Sequence, residues 1–133
     1  MKNTYEELAT NNFSLEGQRG IVTGGSSGIG KAIAIMLAKA GATVFALSRT
    51  GKFKSSEEEI ENLHHLKVNI TDQKDLKEKV DTIGIDGLDF VVNNAGITSK
   101  QKMIDLELEK WDEVQEVNVK AAMNVSRFAF QYV

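Results

Sequence analysis

The feature that most limits the fold is a glycine-rich turn between a short apolar segment and a segment with helical periodicity. Residues 19–23 are predicted to form a strand, and residues 29–40 repeat apolar side chains at helical spacing. The turn between them contains three glycines, which allow a backbone path that other residues rarely adopt. A strand that passes through such a turn directly into a helix is typical of sheets with parallel strands.

The rest of the chain continues this alternation. Further strands are predicted at residues 43–47, 66–69 and 88–93. Helices are predicted at residues 55–63, from a cap at Thr71 or Asp72 to about residue 83, and at residues 105–132. Right-handed crossovers then give an α/β fold, a Rossmann-type doubly wound parallel sheet covered on both faces. Residues 1–13 are predicted as a polar leader and residues 14–133 as one domain.

Composition excludes several classes of function. With 16 basic and 19 acidic side chains, the net charge of -3 offers no positive field for a nucleic acid partner. The absence of cysteine excludes disulfides and thiolate metal sites, and adjacent His64 and His65 are interpreted as solvated rather than as metal ligands. The first twelve residues contain no apolar run typical of a signal or transit peptide. We therefore expect a cytoplasmic protein with no membrane association.

The glycine-rich turn lies where a dinucleotide diphosphate is held in folds of this type. Its glycines let the backbone approach an anion, while the N–H groups and the dipole of the following helix attract it. The residues expected to bind are Gly24, Ser26, Ser27, Gly28, Ile29 and Gly30. A purely structural turn is the alternative that a glycine-rich motif always leaves open.

The same turn also fits the spacing of a triphosphate-binding P-loop. Gly25 and Gly30 stand five residues apart, and Lys31 follows. The next residue is Ala32, however, which has no hydroxyl to bind magnesium. This makes the nucleotide triphosphatase alternative the weaker one.

Two motifs together resemble the short-chain dehydrogenase/reductase family. They are Thr-Gly-x-x-x-Gly-x-Gly at residues 23–30 and Asn-Asn-Ala-Gly at residues 93–96, and the resemblance covers the chain after Phe13. It implies a nicotinamide-dependent oxidoreductase in which Asn94, Ala95 and Gly96 contact the cofactor. It also implies that Asn118 belongs to a Ser-Tyr-Lys-Asn catalytic set, supporting a water relay to the lysine. A simple hydrogen bond between helices is the alternative for Asn118.

The end of the second strand bears on the choice of cofactor. An acidic residue there would bind the adenosine ribose and repel a 2′-phosphate, whereas arginine pairs with that phosphate. This chain has Ser48 and Arg49, which favours NADP(H) and leaves NAD(H) open. After the third strand, Asn69 and Ile70 are expected near the adenine, where the amide oxygen of Asn69 could accept a hydrogen bond from its amino group.

The family's catalytic serine and Tyr-x-x-x-Lys pair do not occur in these 133 residues. The resemblance therefore implies a fold incomplete on its C-terminal side, and we expect residues 1–133 alone to be inactive. We also expect an exposed apolar stripe from Val114 to Phe128, and a homodimer or homotetramer through the helix at residues 111–132. For the substrate, residues 13–17 resemble sugar-acid dehydrogenases of the gluconate type, whereas residues 69–72 and 94–98 resemble 3-oxoacyl carrier-protein reductases. A noncatalytic dinucleotide-binding protein is the remaining alternative.

Overall fold

A four-stranded parallel sheet forms the centre of the computed structural model, which describes residues 13–53 and 59–133. The strands are β1 (Arg19–Thr23), β2 (Thr43–Ser48), β3 (Leu63–Lys67) and β4 (Phe90–Val92), in the spatial order β3-β2-β1-β4. In the central register, Val22 lies opposite Ala46 on one side and Val92 on the other. All pairings are parallel, so the predicted doubly wound α/β class is confirmed.

The helices lie between and after these strands. They are α1 (Gly28–Lys39), α2 (Gln73–Gly84), α3 (Leu108–Gln115) and α4 (Ala122–Ala129), with a π-helical segment (Glu116–Ala121) joining the last two. We call α3, the π segment and α4 together the long helix. It is preceded by a 3₁₀ turn (Met103–Asp105) and followed by another (Phe130–Tyr132).

One face of the sheet is covered by α1. Its buried residues Ala34 and Ala38 are small, so the helix axis can approach Val22 and Val44 closely. The opposite face packs against α2 and α4, with Ile21, Leu47 and Val125 fully buried between them. Burying each of these large side chains contributes roughly 1.5–3 kcal/mol, so the two layers hold the sheet from both sides.

The long helix presents the predicted apolar stripe inward, not to solvent. Ala121 and Val125 are buried and Phe128 packs against the same core, because α2 and the sheet already cover them. The expectation of an exposed stripe is therefore wrong. The exposed apolar side chains of this helix lie elsewhere on its surface. They are Leu108, Trp111, Val119 and Met123.

The third strand and the segment before it differ from prediction. Of the predicted helix at residues 55–63, residues 55–58 lie outside the described residues, and residues 59–62 form a loop and turn. Asn62 donates from Nδ2 to the carbonyls of Ala38 and Ala42 at 2.7 and 2.6 Å. This amide links the end of α1 to the start of β2, so β3 begins at Leu63 rather than at residue 66. The other element boundaries agree with the predicted ones to within three residues.

The amino-terminal end of the sheet is fastened by side chains. Arg19 donates to the carbonyls of Gly87 and Ile83, both at 3.1 Å. Tyr132 donates to Asp81 at 2.9 Å. Hydrogen bonds from Lys77 and then from Tyr132 lower the pKa of Asp81. The bond from Tyr132 to Asp81 holds the 3₁₀ turn that follows the long helix against α2. Within the described residues, no helix is both long enough and apolar enough to cross a bilayer.

Candidate functional site

A cavity of about 660 Å³ opens at the carboxyl ends of the strands. Its walls come from the loops that follow the four strands, from the first turn of α1 and from residues 113–117 of the long helix. In open α/β sheets this edge is where ligands bind, because neighbouring loops diverge there and leave a crevice. The lining residues are Gly24, Ser26, Ser27, Ile29, Gly30, Leu47, Ser48, Arg49, Thr50, Val68, Asn69, Ile70, Thr71, Asn94, Ala95, Gly96, Ile97, Glu113, Glu116 and Val117.

The loop after β1 is shaped by glycines that cannot be replaced without cost. Gly24 and Gly28 have φ angles of +67° and +56°, a region that side chains disfavour. A Cβ on Gly30 would collide with Asn94 Nδ2 and with the carbonyl oxygen of Gly24. The loop therefore packs directly against the loop after β4, and its backbone forms the floor of the cavity.

The first turn of α1 lies at this floor without a capping side chain. Ser27 is the N-cap residue, but its side chain makes no capping hydrogen bond, and the first turn contains no acidic residue. The first N–H groups of a helix have no partner within the helix, and the helix dipole adds partial positive charge there. The N-terminus of α1 is therefore suited to an anionic group bound in the cavity.

Thr23 and Asn94 join the loops after β1 and β4. The hydroxyl of Thr23 accepts from the backbone N–H groups of Asn94 and Ala95 at 3.1 and 3.0 Å. Asn94 Nδ2 donates in return to the carbonyl of Thr23 at 3.0 Å, and to that of Gly24 at 3.3 Å. The two predicted motifs thus form one hydrogen-bonded unit, which fixes the middle of the cavity.

The loop after β2 is a tight turn that places a cation at the cavity. Ser48 Oγ accepts from the N–H of Gly51 at 3.0 Å, and Thr50 donates to the carbonyl of Lys52 at 2.9 Å. Both hydroxyls therefore bind backbone groups within the turn itself. Arg49 between them is exposed and lines the cavity.

The two histidines lie on β3 beside this loop, and the expectation that both are solvated is half wrong. His64 is exposed and stacks on Phe45, with ring centroids 5.2 Å apart. His65 is partly buried, packs edge-on against Phe53 at 4.3 Å, and has no hydrogen-bond partner for Nδ1. Burial is the larger cause that lowers the pKa of His65, and the neighbouring His64 lowers this pKa further. His65 is thus covered by the Phe53 ring. The same ring lies 5.1 Å from Lys31 Nζ of α1, so the contact of His65 belongs to the packing between β3 and α1.

The loop after β3 is closed on itself by Asn69. Its Oδ1 accepts from the N–H and from the hydroxyl of Thr71, at 3.1 and 2.8 Å. The sequence interpretation assigned this oxygen to the adenine amino group. A carbonyl oxygen has two lone pairs, and both are used by Thr71 here.

Asn118, in the π segment, clamps the loop after β4. Its Oδ1 accepts from the N–H of Ile97 and its Nδ2 donates to the carbonyl of Ile97, both at 2.8 Å. Asn118 does not line the cavity, and both the oxygen and the nitrogen of its side-chain amide take part in this pair of bonds. Its contacts are with a loop, which differs from the bond between two helices considered from the sequence.

Of the residues predicted to bind the cofactor, all but Gly28 line the cavity. The sequence did not predict that Glu113 and Glu116 line the cavity, because charged side chains on a helix are usually expected to face solvent. It also did not predict that Thr23 joins the loops after β1 and β4, although a hydroxyl at the end of a buried strand could have indicated such a bond. Among residues 13–53 and 59–133, no group of three or more acidic or histidine side chains is placed to hold a metal ion.

The fold and the crevice together define a Rossmann-type α/β domain. A family model described as short chain dehydrogenase matches residues 19–133. The chain therefore belongs to the short-chain dehydrogenase family, as the two motifs had indicated.

Two curated relatives show how far the likeness extends. A 3-oxoacyl-[acyl-carrier-protein] reductase of Aquifex aeolicus is 36% identical over 123 residues, which cover 86% of this chain and 50% of the relative. An uncharacterized oxidoreductase of Escherichia coli, YgcW, is 38% identical and is covered over 46% of its length. The chain thus spans about half the length of these relatives.

Solved structures agree with this assignment. A structure from Beutenbergia cavernae, with NADP bound at low occupancy, carries a provisional assignment as an NAD(P)-dependent gluconate 5-dehydrogenase. It superposes with a TM-score of 0.80 at 34% identity, covering 90% of this chain and 50% of the other. The Pseudomonas aeruginosa RhlG/NADP complex gives a TM-score of 0.77 at 26% identity, covering 90% and 49%. The fold shared with these proteins is therefore that of the short-chain dehydrogenases.

Proposed function

We propose that the protein binds NADP(H) and transfers hydride between this cofactor and a carbonyl or secondary alcohol substrate. The single observation that carries the proposal is the convergence of three elements on one cavity. These elements are the glycine loop, the uncapped start of α1, and Arg49 at the end of β2. Two structural neighbours that contain NADP support the same cofactor.

The chemistry of the cavity wall fits each part of such a cofactor. The N–H groups at the start of α1, with Ser26 and Ser27 beside them, suit the diphosphate. Arg49 suits a 2′-phosphate on the adenosine ribose, and no acidic residue stands at the end of β2 to repel it. Ala95 and Gly96 are small enough to let a ribose and the nicotinamide lie against the backbone. Bound there, the cofactor would supply or accept the hydride.

Asn118 has a supporting role in this proposal. Because its amide holds both hydrogen-bonding groups of the Ile97 peptide, it positions the loop that follows β4. The serine, tyrosine and lysine that would polarise the carbonyl and donate the proton belong to the family pattern and are not among these residues. The activity of the whole protein is thus an inference from its family.

Two substrate classes are supported by separate observations. Reductases of 3-oxoacyl carrier-protein thioesters are among the relatives at 36% identity. The neighbour with the provisional gluconate 5-dehydrogenase assignment supports a sugar acid. Assays of the protein encoded by the whole gene, with an acetoacetyl thioester and with 5-ketogluconate, would distinguish the two. Absence of turnover with every carbonyl tested, despite tight cofactor binding, would favour a noncatalytic dinucleotide-binding protein.

Cofactor choice is tested by titrating NADPH and NADH against the protein and following the fluorescence of the reduced nicotinamide. Loss of one charged hydrogen bond costs about 1.5–3 kcal/mol, so Arg49→Ala should weaken NADPH binding roughly tenfold to a hundredfold. NADH has no 2′-phosphate, and its affinity should change little.

Arg127→Ala is the matched control, because that arginine is exposed on α4 and lies over the Phe128 ring, away from the cavity. It should leave both affinities unchanged. Equal binding of NADPH and NADH by the unmutated protein would contradict the NADP(H) proposal while leaving dinucleotide binding intact.

The cellular setting and the oligomeric state are further proposals. We propose a cytoplasmic protein that forms a homodimer or homotetramer through the long helix. The exposed apolar side chains of that helix, among them Trp111 and Met123, support a self-association surface. Sedimentation of the protein encoded by the whole gene, with Trp111→Lys as the test variant, would measure it. A wild-type protein that sediments as a monomer would contradict this part.

A further inference from the structure

We propose that His65, through the ring of Phe53, positions the turn that presents Arg49 to the 2′-phosphate of NADP(H), and that protonation of His65 releases this turn and weakens NADP(H) binding. The turn consists of residues 48–52, and we call it the 48–52 turn. The inference deepens the proposed function and rests on it, because it concerns how the same cavity holds the phosphate that distinguishes NADP(H) from NAD(H).

The first step is that the 48–52 turn is packed on β3. Ser48 lies opposite Lys67 in the sheet, and its carbonyl accepts from the N–H of Val68 at 2.9 Å. Gly51 has a φ of +67°, and a Cβ on it would meet the backbone N and Cα of Lys67 at 3.0 and 3.1 Å. The position of Arg49 therefore depends on how closely this turn packs against β3.

The second step is that the chain leaving the turn is fastened to β3 at His65. Phe53 follows the turn, and its ring packs edge-on against the His65 ring, with centroids 4.3 Å apart. His65 lies opposite Ala46 and two residues before Lys67, so its side chain is on the same face of the sheet as that of Lys67. β3 thus holds this part of the chain at two neighbouring points, through Lys67 within the turn and through His65 directly after it.

The third step is that this arrangement suits a neutral imidazole. His65 Nδ1 is buried and has no hydrogen-bond partner. A protonated histidine carries N–H groups on both nitrogens, so its Nδ1–H would be buried without an acceptor. Burial, and after it the neighbouring His64, lower the pKa of His65, which agrees with a preference for the neutral form. Uptake of a proton therefore requires water at Nδ1, and the Phe53 ring that covers His65 must then move.

The charged groups around His65 also oppose a further positive charge. Lys31 Nζ of α1 lies 5.1 Å from the centre of the Phe53 ring, so a charged His65 would face an ammonium group across one ring. Among the described residues, the elements packed around His65 carry more cations than acids, and both of these acids are exposed. Besides Lys31 and His64, these charged residues are Lys39, Arg49, Lys52, Glu59, Glu61 and Lys67.

The experiment measures the affinities of the protein encoded by the whole gene for NADP⁺ and NAD⁺ by calorimetry. It covers about pH 8 to about pH 5.5, the range in which histidine changes its charge. The 2′-phosphate of NADP⁺ also takes up a proton near about pH 6, so part of any fall in affinity belongs to the cofactor. That part is the same for every variant, and the comparison between variants isolates the contribution of His65.

His65→Phe keeps an aromatic ring against Phe53 and cannot be protonated. Between the two ends of the pH range, the unmutated protein should lose about fivefold more affinity for NADP⁺ than this variant does, the lower end of coupling between two linked sites. NAD⁺ has no 2′-phosphate, so its affinity should depend little on His65. His65→Gln is smaller and also uncharged, and it should remove the same part of the pH dependence if circular dichroism shows that the larger ring disturbs the fold.

Two further variants test whether His65 acts through the turn. His64→Gln changes the neighbouring exposed histidine and should keep the pH dependence. Arg49→Ala removes the side chain that the turn presents, so in this background His65→Phe should change the pH dependence no further. A merely structural role of His65 would instead lower the affinities for NADP⁺ and NAD⁺ alike at every pH.

The same coupling can be measured at the histidine. Coupling is reciprocal, so NADP⁺ should lower the pKa of His65 and NAD⁺ should lower it much less. NMR titration of the imidazole signals measures this pKa, and His64→Gln identifies which signal belongs to His65.

The outcomes that overturn the inference differ from those that overturn the proposed function. If His65→Phe and the unmutated protein show the same pH dependence, the assignment to His65 is wrong and the cofactor proposal survives. The same holds if His65 makes the affinity for NADP⁺ rise as the pH falls, because its charge would then attract the phosphate instead of releasing the turn. If neither dinucleotide binds at any pH, the proposed function fails, and this inference fails with it.

Discussion

The helices α1 and α2 both follow a strand of the same sheet, yet their N-termini are treated in opposite ways. At α2, the side chain of Asp72 accepts from the N–H groups of Lys74 and Asp75 at 3.0 and 3.1 Å. Asp75 adds a second acid to the first turn. At α1, Ser27 makes no capping bond and the first turn has no acid.

The difference separates a helix start that is closed by its own side chains from one that is open to a ligand. A capped N-terminus satisfies its own N–H groups and neutralises the dipole, which stabilises the helix and leaves little for a ligand. An uncapped N-terminus at the floor of a cavity keeps both for an incoming anion. In this chain α1 thus lacks a capping side chain at the cavity, whereas α2 has one.

The largest expected effect comes from filling the space at the start of α1. In Gly30→Ala the new Cβ would meet Asn94 and the backbone of Gly24. We expect unfolding to become easier by about 3 kcal/mol, the upper range for overpacking. Dinucleotide affinity should fall at least about a hundredfold, a loss of roughly 2.7 kcal/mol, because the loop must move. Chemical denaturation and calorimetry measure the two quantities.

Gly28→Ala is the control for that change. A Cβ on Gly28 meets nothing within 4 Å, so only its left-handed φ opposes the substitution. We expect a loss of about 1–2 kcal/mol in stability. Equal effects of the two alanines on affinity would mean that backbone strain, rather than packing against Asn94, controls the loop.

An intermediate effect is expected from making α1 resemble α2. Ile29 is 75% exposed in the first turn of α1, so Ile29→Asp removes little packing. The new carboxylate should stabilise the helix by about 0.3–1 kcal/mol through the dipole. It should also weaken dinucleotide binding by roughly tenfold, about 1.4 kcal/mol, because two anions would compete for one helix end. Ile29→Asn, which adds no charge, should lose much less affinity; an equal loss would contradict the electrostatic argument.

The smallest effect concerns the cap itself. Asp72→Ala should lower the free energy of unfolding by about 1 kcal/mol, the usual cost of losing an N-cap residue. Ser27→Ala should stay within about 0.5 kcal/mol of the unmutated protein, because its side chain caps nothing. Thermal denaturation of the two variants is the measurement. A larger loss in Ser27→Ala would show that α1 is capped in solution.

Most of the fold was predictable because its signals are local. The strand at residues 19–23, the glycine turn and the N-cap each follow from a few neighbouring residues. The structure has all three, and of the two predicted cap residues, Thr71 and Asp72, it is Asp72 that caps. The start of β3 was not predictable in this way. It follows Asn62, whose side chain bonds to the end of α1 and the start of β2, about 20 residues earlier in the chain. A contact between distant segments leaves no periodic pattern in the sequence.

The residues of the candidate site that belong to a sequence motif were predictable. Those that reach the site only through the packing of distant segments were not. The glycine loop and Asn94 were found through their spacing, and both line the cavity. Glu116 was missed as a lining residue, because its place in the wall depends on which face of the long helix meets the crevice. The use of Asn69 Oδ1 by Thr71 could not be foreseen either, since residue identity does not tell which way an amide is turned.

The reciprocal bonds between Thr23 and Asn94 have a consequence for how such a protein can change. Each residue holds the other's backbone, so altering one alone leaves polar groups of its partner unsatisfied in a half-closed environment. Substitutions at these two positions should be strongly non-additive. Variation that changes which ligand the cavity accepts should therefore accumulate around this pair, at the rim of the crevice, while the pair itself changes jointly or stays as it is.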